Sequence, residues 1–195
     1  MPKNNRNGQA AILTDSDYAR IRKHLKSPQH RLIWDIAKFT GERWGAILKL
    51  RVTDVWEQNG KPRSEITFRA CTRKASPDGK RQTRQVPLHS TLVEILTAYK
   101  MPMGEDLFLF PSNLPDKSIS PQAADAAMRR AIASAGLESR GISTHSTRRT
   151  FITRLHAAGV DLYTIQKITG HKDLKALGLY VEISADRVKG AINTL

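Results

Sequence analysis

Two hydrophobic rhythms divide this chain, and their order fixes its fold class. From Thr14 to about Leu50 apolar residues recur at three- and four-residue intervals, the spacing of helices with one buried face. Thr14 and Asp17 have the form of a capping box ahead of Tyr18, Ile21 and Leu25. Leu32, Ile33, Ile36 and Ala37 predict a second helix that stops near Gly41, and Ile47, Leu48 and Leu50 a short third. After the turn dipeptide Asn59-Gly60 the rhythm changes: Ile66, Phe68 and Ala70 alternate with polar residues, as in a half-buried strand. Pro77-Asp78-Gly79 marks another turn, Gln82 to Leu88 a returning strand, and Leu107 to Phe110 a short edge strand.

Helical spacing resumes with Leu92, Val93, Ile95, Leu96 and Tyr99. Ser120-Pro121 opens a helix carrying Ala124, Ala127, Met128, Ala131 and Ile132 up to Gly136. Another holds Phe151, Ile152 and Leu155 and ends by Gly159; Asp161 caps a third, with Leu162, Ile165 and Ile168, closed by Gly170. Ser184 caps a last one with Val188, Ala191 and Ile192. Helices, then one hairpin, then helices predict a mainly helical α+β fold with one small antiparallel sheet.

At 195 residues, 39% of them apolar, the chain suits one globular unit rather than two full-sized domains. Residues 1–13, polar and basic, read as a flexible arm, and 14–195 as the domain, with no separate domain before it. Lys and Arg number 32 against 18 Asp and Glu, a formal charge of +14, spread from Arg6 to Lys189. That excess points to a polyanionic partner, nucleic acid ahead of membrane, because no basic helix has a strong apolar face. The single cysteine, Cys71, excludes an internal disulfide framework and reads as a small buried hydrophobe in a strand. No apolar run approaches the roughly 18 residues of a membrane span, and the N-terminus lacks a signal-peptide core, so a cytoplasmic protein is expected.

Four places hold polar groups that folding alone does not require. They are Thr40-Gly41-Glu42-Arg43; the hairpin with Arg69, Arg73, Lys74, Lys80, Arg81 and Arg84; His145-Ser146-Thr147-Arg148; and Gly170-His171, followed nine positions on by Tyr180 (180 minus 171). If its segment is helical, His145 shares a face with Arg148 at i,i+3, and the two can converge on one small anion while Arg149 points elsewhere. A guanidinium fork suits phosphate because it gives two parallel charge-assisted hydrogen bonds. The structural alternatives are a solvated basic edge for the hairpin, a core aromatic for Tyr180 and a helix cap for His171.

Taken in order, Thr40-Gly41-Glu42-Arg43, Lys74, His145-Ser146-Thr147-Arg148, Thr169-Gly170-His171 and Tyr180 resemble the catalytic domain of the tyrosine recombinases, the phage integrase family. That family runs T-G-x-R, a hairpin lysine, H-x-x-R, L-G-H or similar, and a tyrosine about nine residues later. The resemblance covers Thr14 to about Asn193. Three positions depart from it: Ala46 stands where the family usually has an acid three residues after the first arginine, and Thr147 and Arg149 replace a leucine and a histidine. Any buttressing from that acid must come from elsewhere or be absent.

The resemblance implies a site-specific recombinase or integrase. A phosphodiester repels nucleophiles and has a poor leaving group, so an enzyme without metals or cofactors must supply cations and a proton donor; no metal-ligand spacing appears in the sequence. Arg43 and Arg148 would hold the non-bridging oxygens and stabilise the transition state, each such donor being worth about 3 kcal/mol. Tyr180 would attack phosphorus, giving a 3′-phosphotyrosine and a free 5′-hydroxyl. A phenol is mostly protonated at neutral pH, and His145 would take its proton. His171 would donate a hydrogen bond to the phosphate, and Lys74, with Lys80 as the alternative, would protonate the leaving oxygen. Arg73, Lys80, Arg81, Arg84 and Arg149 would bind DNA.

The implied partners are double-stranded DNA with specific recombination sites and three further copies of the chain in a tetramer, the implied location the nucleoid. A catalytically silent recombinase-like DNA-binding protein and a type IB topoisomerase-like activity are the alternatives. H-x-x-R with the glycine-histidine pair favours recombination.

Overall fold

Thr14 closes the capping box expected of it. Its hydroxyl accepts from Asp17 N at 3.1 Å, and its own N–H donates to Asp17 Oδ2 at 3.0 Å. Helix α1 then runs Asp15–His24. The computed structural model describes residues 8–73, 75, 79–101, 107–171, 173–180, 189, 190, 192 and 193. The chain divides into two compact units, Met1–Phe151 and Ile152–Leu195.

In the first unit α2 spans Pro28–Thr40, with proline in its first turn, and stops at Gly41 in the left-handed region (φ 59°). A single-turn α3, Trp44–Ile47, follows at once. Strands β1 (Glu65–Phe68) and β2 (Arg84–Pro87) pair antiparallel, with Ile66 opposite Val86 and Phe68 opposite Arg84. Helices α4 (Ser90–Ala98) and α5 (Pro121–Ser134) come next, α5 capped by Ser120 Oγ. α2 packs against α3, α4 and α5, and α1 against α5. Trp34, Ile33, Ile36, Phe68 and Phe110 sit fully buried in the resulting core. Helix α6 (Thr144–Ala157) spans the division between the units. In the second unit α7 (Leu162–Thr169), capped by Asp161 and closed by Gly170, packs against α8 (Leu174–Gly178), whose cap is Asp173.

The order of helices, hairpin and helices is as expected, but four local expectations fail. Ala70 and Cys71 leave the strand for a 3-10 turn, and Cys71 is exposed rather than buried. Leu107 to Phe110 form no strand of the hairpin sheet: Phe108 makes an isolated bridge to Arg51, and Leu109 N donates to Leu50 O at 2.8 Å. Residues 10–13, placed in the arm, are tied to the fold by Ala11 N donating to Gly141 O at 3.2 Å and Leu13 N to Thr150 Oγ1 at 2.8 Å. Leu13 is buried, so its apolar side chain anchors what polar neighbours made look loose. The α8 turn was not expected at all. The Pro77-Asp78 turn and the helix start at Ser184 lie outside the described residues. No helix among the described residues is long and apolar enough to cross a membrane.

Candidate active site

The site begins where α2 ends. Gly41 must be glycine twice over: its φ is positive, and a Cβ there would lie 2.4 Å from Phe151 Cδ1. Turning the chain at this point frees the Gly41 carbonyl to accept Arg148 Nη1 at 2.8 Å, tying α6 to the end of α2. Arg43 follows as the N-cap of α3, its side chain exposed.

Between them sits Glu42, 1% exposed, with a carboxylate that collects cations. Arg84 Nη1 donates to its Oε2 at 2.7 Å, and Arg73 Nε lies 3.2 Å from the same oxygen. Oε1 accepts the Arg43 backbone N–H at 2.8 Å and stands 4.0 Å from Arg148 Nη1. Burial pushes the Glu42 carboxyl up, but Arg84, the Arg43 N–H, Arg73 and Arg148 together outweigh it and hold its pKa below the ordinary value. Arg84 also donates to Thr40 O at 2.8 Å, so the end of β2 is bolted to the end of α2.

Arg148 is 3% exposed and projects from the first turns of α6, whose start is built from hydroxyl residues. Ser143 N donates to Ser146 Oγ at 3.0 Å, and Thr150 Oγ1 donates to Ser146 O at 2.7 Å. These short side chains satisfy themselves on the local backbone, which is why a polar run can lie buried here. His145 is exposed on the same helix.

An open cleft of about 640 Å³ is lined by Arg43, His145 and Arg148, together with Lys49, Arg73 and Arg81. The structure thus brings together three of the six expected catalytic residues and two of the expected DNA-binding ones. Lys74 lies outside the described residues. Lys80 is exposed and does not line this cleft. Two positions differ from expectation. Arg84, expected on the surface, is buried (5% exposed) on the inner face of β2, held by Glu42 with its guanidinium carbon 5.9 Å from the Phe68 ring centroid. Arg149 is half-buried and donates through Nη1 to Ala10 O at 2.8 Å. Glu42 and Lys49 were not singled out from the sequence; Glu42 occupied the variable position of its motif.

The second unit carries the other two expected residues. His171 follows the Gly170 cap, with its Nδ1 2.6 Å from Thr169 Oγ1, a hydroxyl that itself donates to Ile165 O. The His171 and Tyr180 rings lie 6.1 Å apart between centroids, tilted by 50°. Tyr180 is half-buried just after α8, where its N–H donates to Leu177 O at 2.8 Å and its carbonyl accepts Thr153 Oγ1 at 3.2 Å.

Known proteins share this fold. The tyrosine recombinase of Pseudothermotoga lettingae is 27% identical over 173 residues, 88% of this chain and 55% of that one. The XerH site-specific recombinase, in a pre-cleavage complex with its difH substrate, superposes with a TM-score of 0.69 at 22% identity, over 97% of this chain and 55% of that one. The catalytic domain of bacteriophage HP1 integrase gives 0.66 at 21% identity, over 95% of each chain. This chain spans about half the length of the curated relatives it matches. The model of the phage integrase family itself matches residues 11–187, nearly the whole of the described fold, and on that match the chain belongs to the phage integrase family.

Proposed function

We propose that this chain acts as a site-specific recombinase that cuts and rejoins DNA through a 3′-phosphotyrosine at Tyr180. One observation carries the reading: Arg43 and Arg148, far apart in sequence, line the same cleft as His145. Two guanidiniums can bind the non-bridging oxygens of a phosphodiester and meet the charge that builds as phosphorus becomes five-coordinate. Tyr180 attacks, His145 accepts its proton, and His171 donates to the phosphate. A hairpin lysine, Lys74 or Lys80, protonates the departing 5′-oxygen. The phosphotyrosine keeps the energy of the broken bond, so a second 5′-hydroxyl can reverse the step without ATP.

The partner is double-stranded DNA bearing specific sites, supported by the +14 charge and the basic cleft. A tetramer on two duplexes is the assembly in which strands exchange. The test is a nicked synthetic duplex that traps the covalent step. Wild type should give a denaturant-resistant adduct, and Tyr180→Phe, Arg43→Ala and Arg148→Ala should give none. An adduct that persists in Tyr180→Phe contradicts the reading.

A further inference from the structure

Ala46 leaves vacant the position at which this family usually carries an acid, yet the cleft is not without a carboxylate. We propose that Glu42 is the positioning anion of this active site, supplying from inside the T-G-x-R motif the negative charge that orients Arg148 and Arg43. The inference rests on the reading of those two arginines as the phosphate-binding pair.

Three observations support it. First, Glu42 reaches both members of the pair: its Oε1 accepts the Arg43 backbone N–H at 2.8 Å and forms a long ion pair, 4.0 Å, with Arg148 Nη1. The same oxygen thus fixes the peptide from which one guanidinium departs and sits beside the other. Second, the charges do not cancel. Arg84, Arg73 and Arg148 converge on this one carboxylate, and three cations against one anion leave two positive charges in excess. Arg73 and Arg148 both line the cleft, so the excess faces the place a phosphate would occupy. A purely structural pair would need Arg84 alone, and buried pairs of that kind are commonly replaceable by apolar residues without loss. Third, Ala46 is buried at 3% and lines the same cleft with a methyl group that carries no charge. Glu42 moderates the repulsion among the guanidiniums and holds them preorganised while preserving their net attraction for phosphate. Glu42 lines the cleft with the arginines and is a positioning residue, since in this scheme it acts through them and makes no contact with DNA.

The experiment compares wild type, Glu42→Gln, Glu42→Asp and the double variant Glu42→Gln/Arg84→Met. Each is measured for thermal stability, DNA affinity at fixed salt, and single-turnover adduct formation at saturating nicked duplex. Glu42→Gln keeps the shape and removes the charge; its saturating rate should fall about 100-fold, the loss typical of a misplaced oxyanion donor. Its DNA affinity should stay within about threefold, because the phosphate contacts that set affinity lie elsewhere along the duplex. Glu42→Asp, which keeps the charge, should recover part of the rate. If Glu42→Gln does not fold, the double variant replaces the buried pair with uncharged groups and should fold while remaining slow. A folded Glu42→Gln, or double variant, reacting within about threefold of wild type at saturating DNA overturns the inference while leaving the recombinase reading intact. A wild-type protein that forms no adduct overturns both.

Discussion

Replacing Gly41 with alanine should destabilise the corner of the first unit where the end of α2 meets Phe151, and the cost can be worked out in two parts. An alanine at φ 59° occupies the left-handed region, worth about 1–2 kcal/mol against it. The new Cβ would also stand 2.4 Å from Cδ1 and 2.7 Å from Cγ of Phe151, an overlap of the kind that costs about 1–3 kcal/mol as neighbours shift. Together the substitution should cost about 2–5 kcal/mol, which for a chain of this size lowers the melting temperature by about 5–20 °C. The two parts separate in a double-mutant cycle. In a Phe151→Ala background the two ring contacts are gone and only the 3.1 Å approach to the Cβ of residue 151 remains, so Gly41→Ala should cost little beyond the backbone part, about 1–2 kcal/mol. Urea denaturation followed by tryptophan fluorescence measures all four proteins, since Trp34 is buried in the same core. A cost below about 1 kcal/mol, or an equal cost in both backgrounds, would refute the reasoning.

Three other expectations are independent of that glycine. Glu42 has a folded pKa below its ordinary value of 4.5, so its contribution to stability is present above that value and is lost as pH falls through the folded one; a urea series across acid pH should show the loss in wild type and its absence in Glu42→Gln. Thr150→Val removes the acceptor of the buried Leu13 N–H and should cost about 1–3 kcal/mol, measured by the same denaturation and accompanied by faster amide exchange at Leu13. Arg81→Ala should reduce the slope of log affinity for DNA against log salt by about 0.9, whereas Arg84→Met should leave that slope unchanged, and filter binding across a salt series compares the two.

Much of this fold was readable because its signals are local. Thr14, Ser120 and Asp161 each cap a helix through a hydrogen bond from the residue three positions ahead, so the neighbouring sequence contains the whole interaction. The family was readable for a different reason: its motifs recur in fixed order, and each is a short segment. What could not be read depends on partners distant in the chain. Glu42 looks like a variable letter until Arg84, 42 positions away, folds onto it. Leu13 and Arg149 seemed arm and surface because their partners, Thr150 and Ala10, lie more than a hundred residues off. Arg84 is a different case, since its burial follows from the alternation already used to place β2: with Val86 facing the core, the residue two before it faces the core as well. Its charge made it look like a surface residue, and the charge proved to be paired. Cys71 shows the opposite error: the strand was extended past its end at Phe68, and Cys71, three residues on, lies in an exposed turn.

The account turns on which atom of the protein becomes bonded to DNA. Wild-type protein reacted with a nicked duplex, digested and analysed by tandem mass spectrometry should carry the nucleotide on the Tyr180 phenol through a 3′-phosphate, with the released strand ending in a 5′-hydroxyl. A nucleotide attached to any other residue, or joined through a 5′-phosphate, would contradict the central claim.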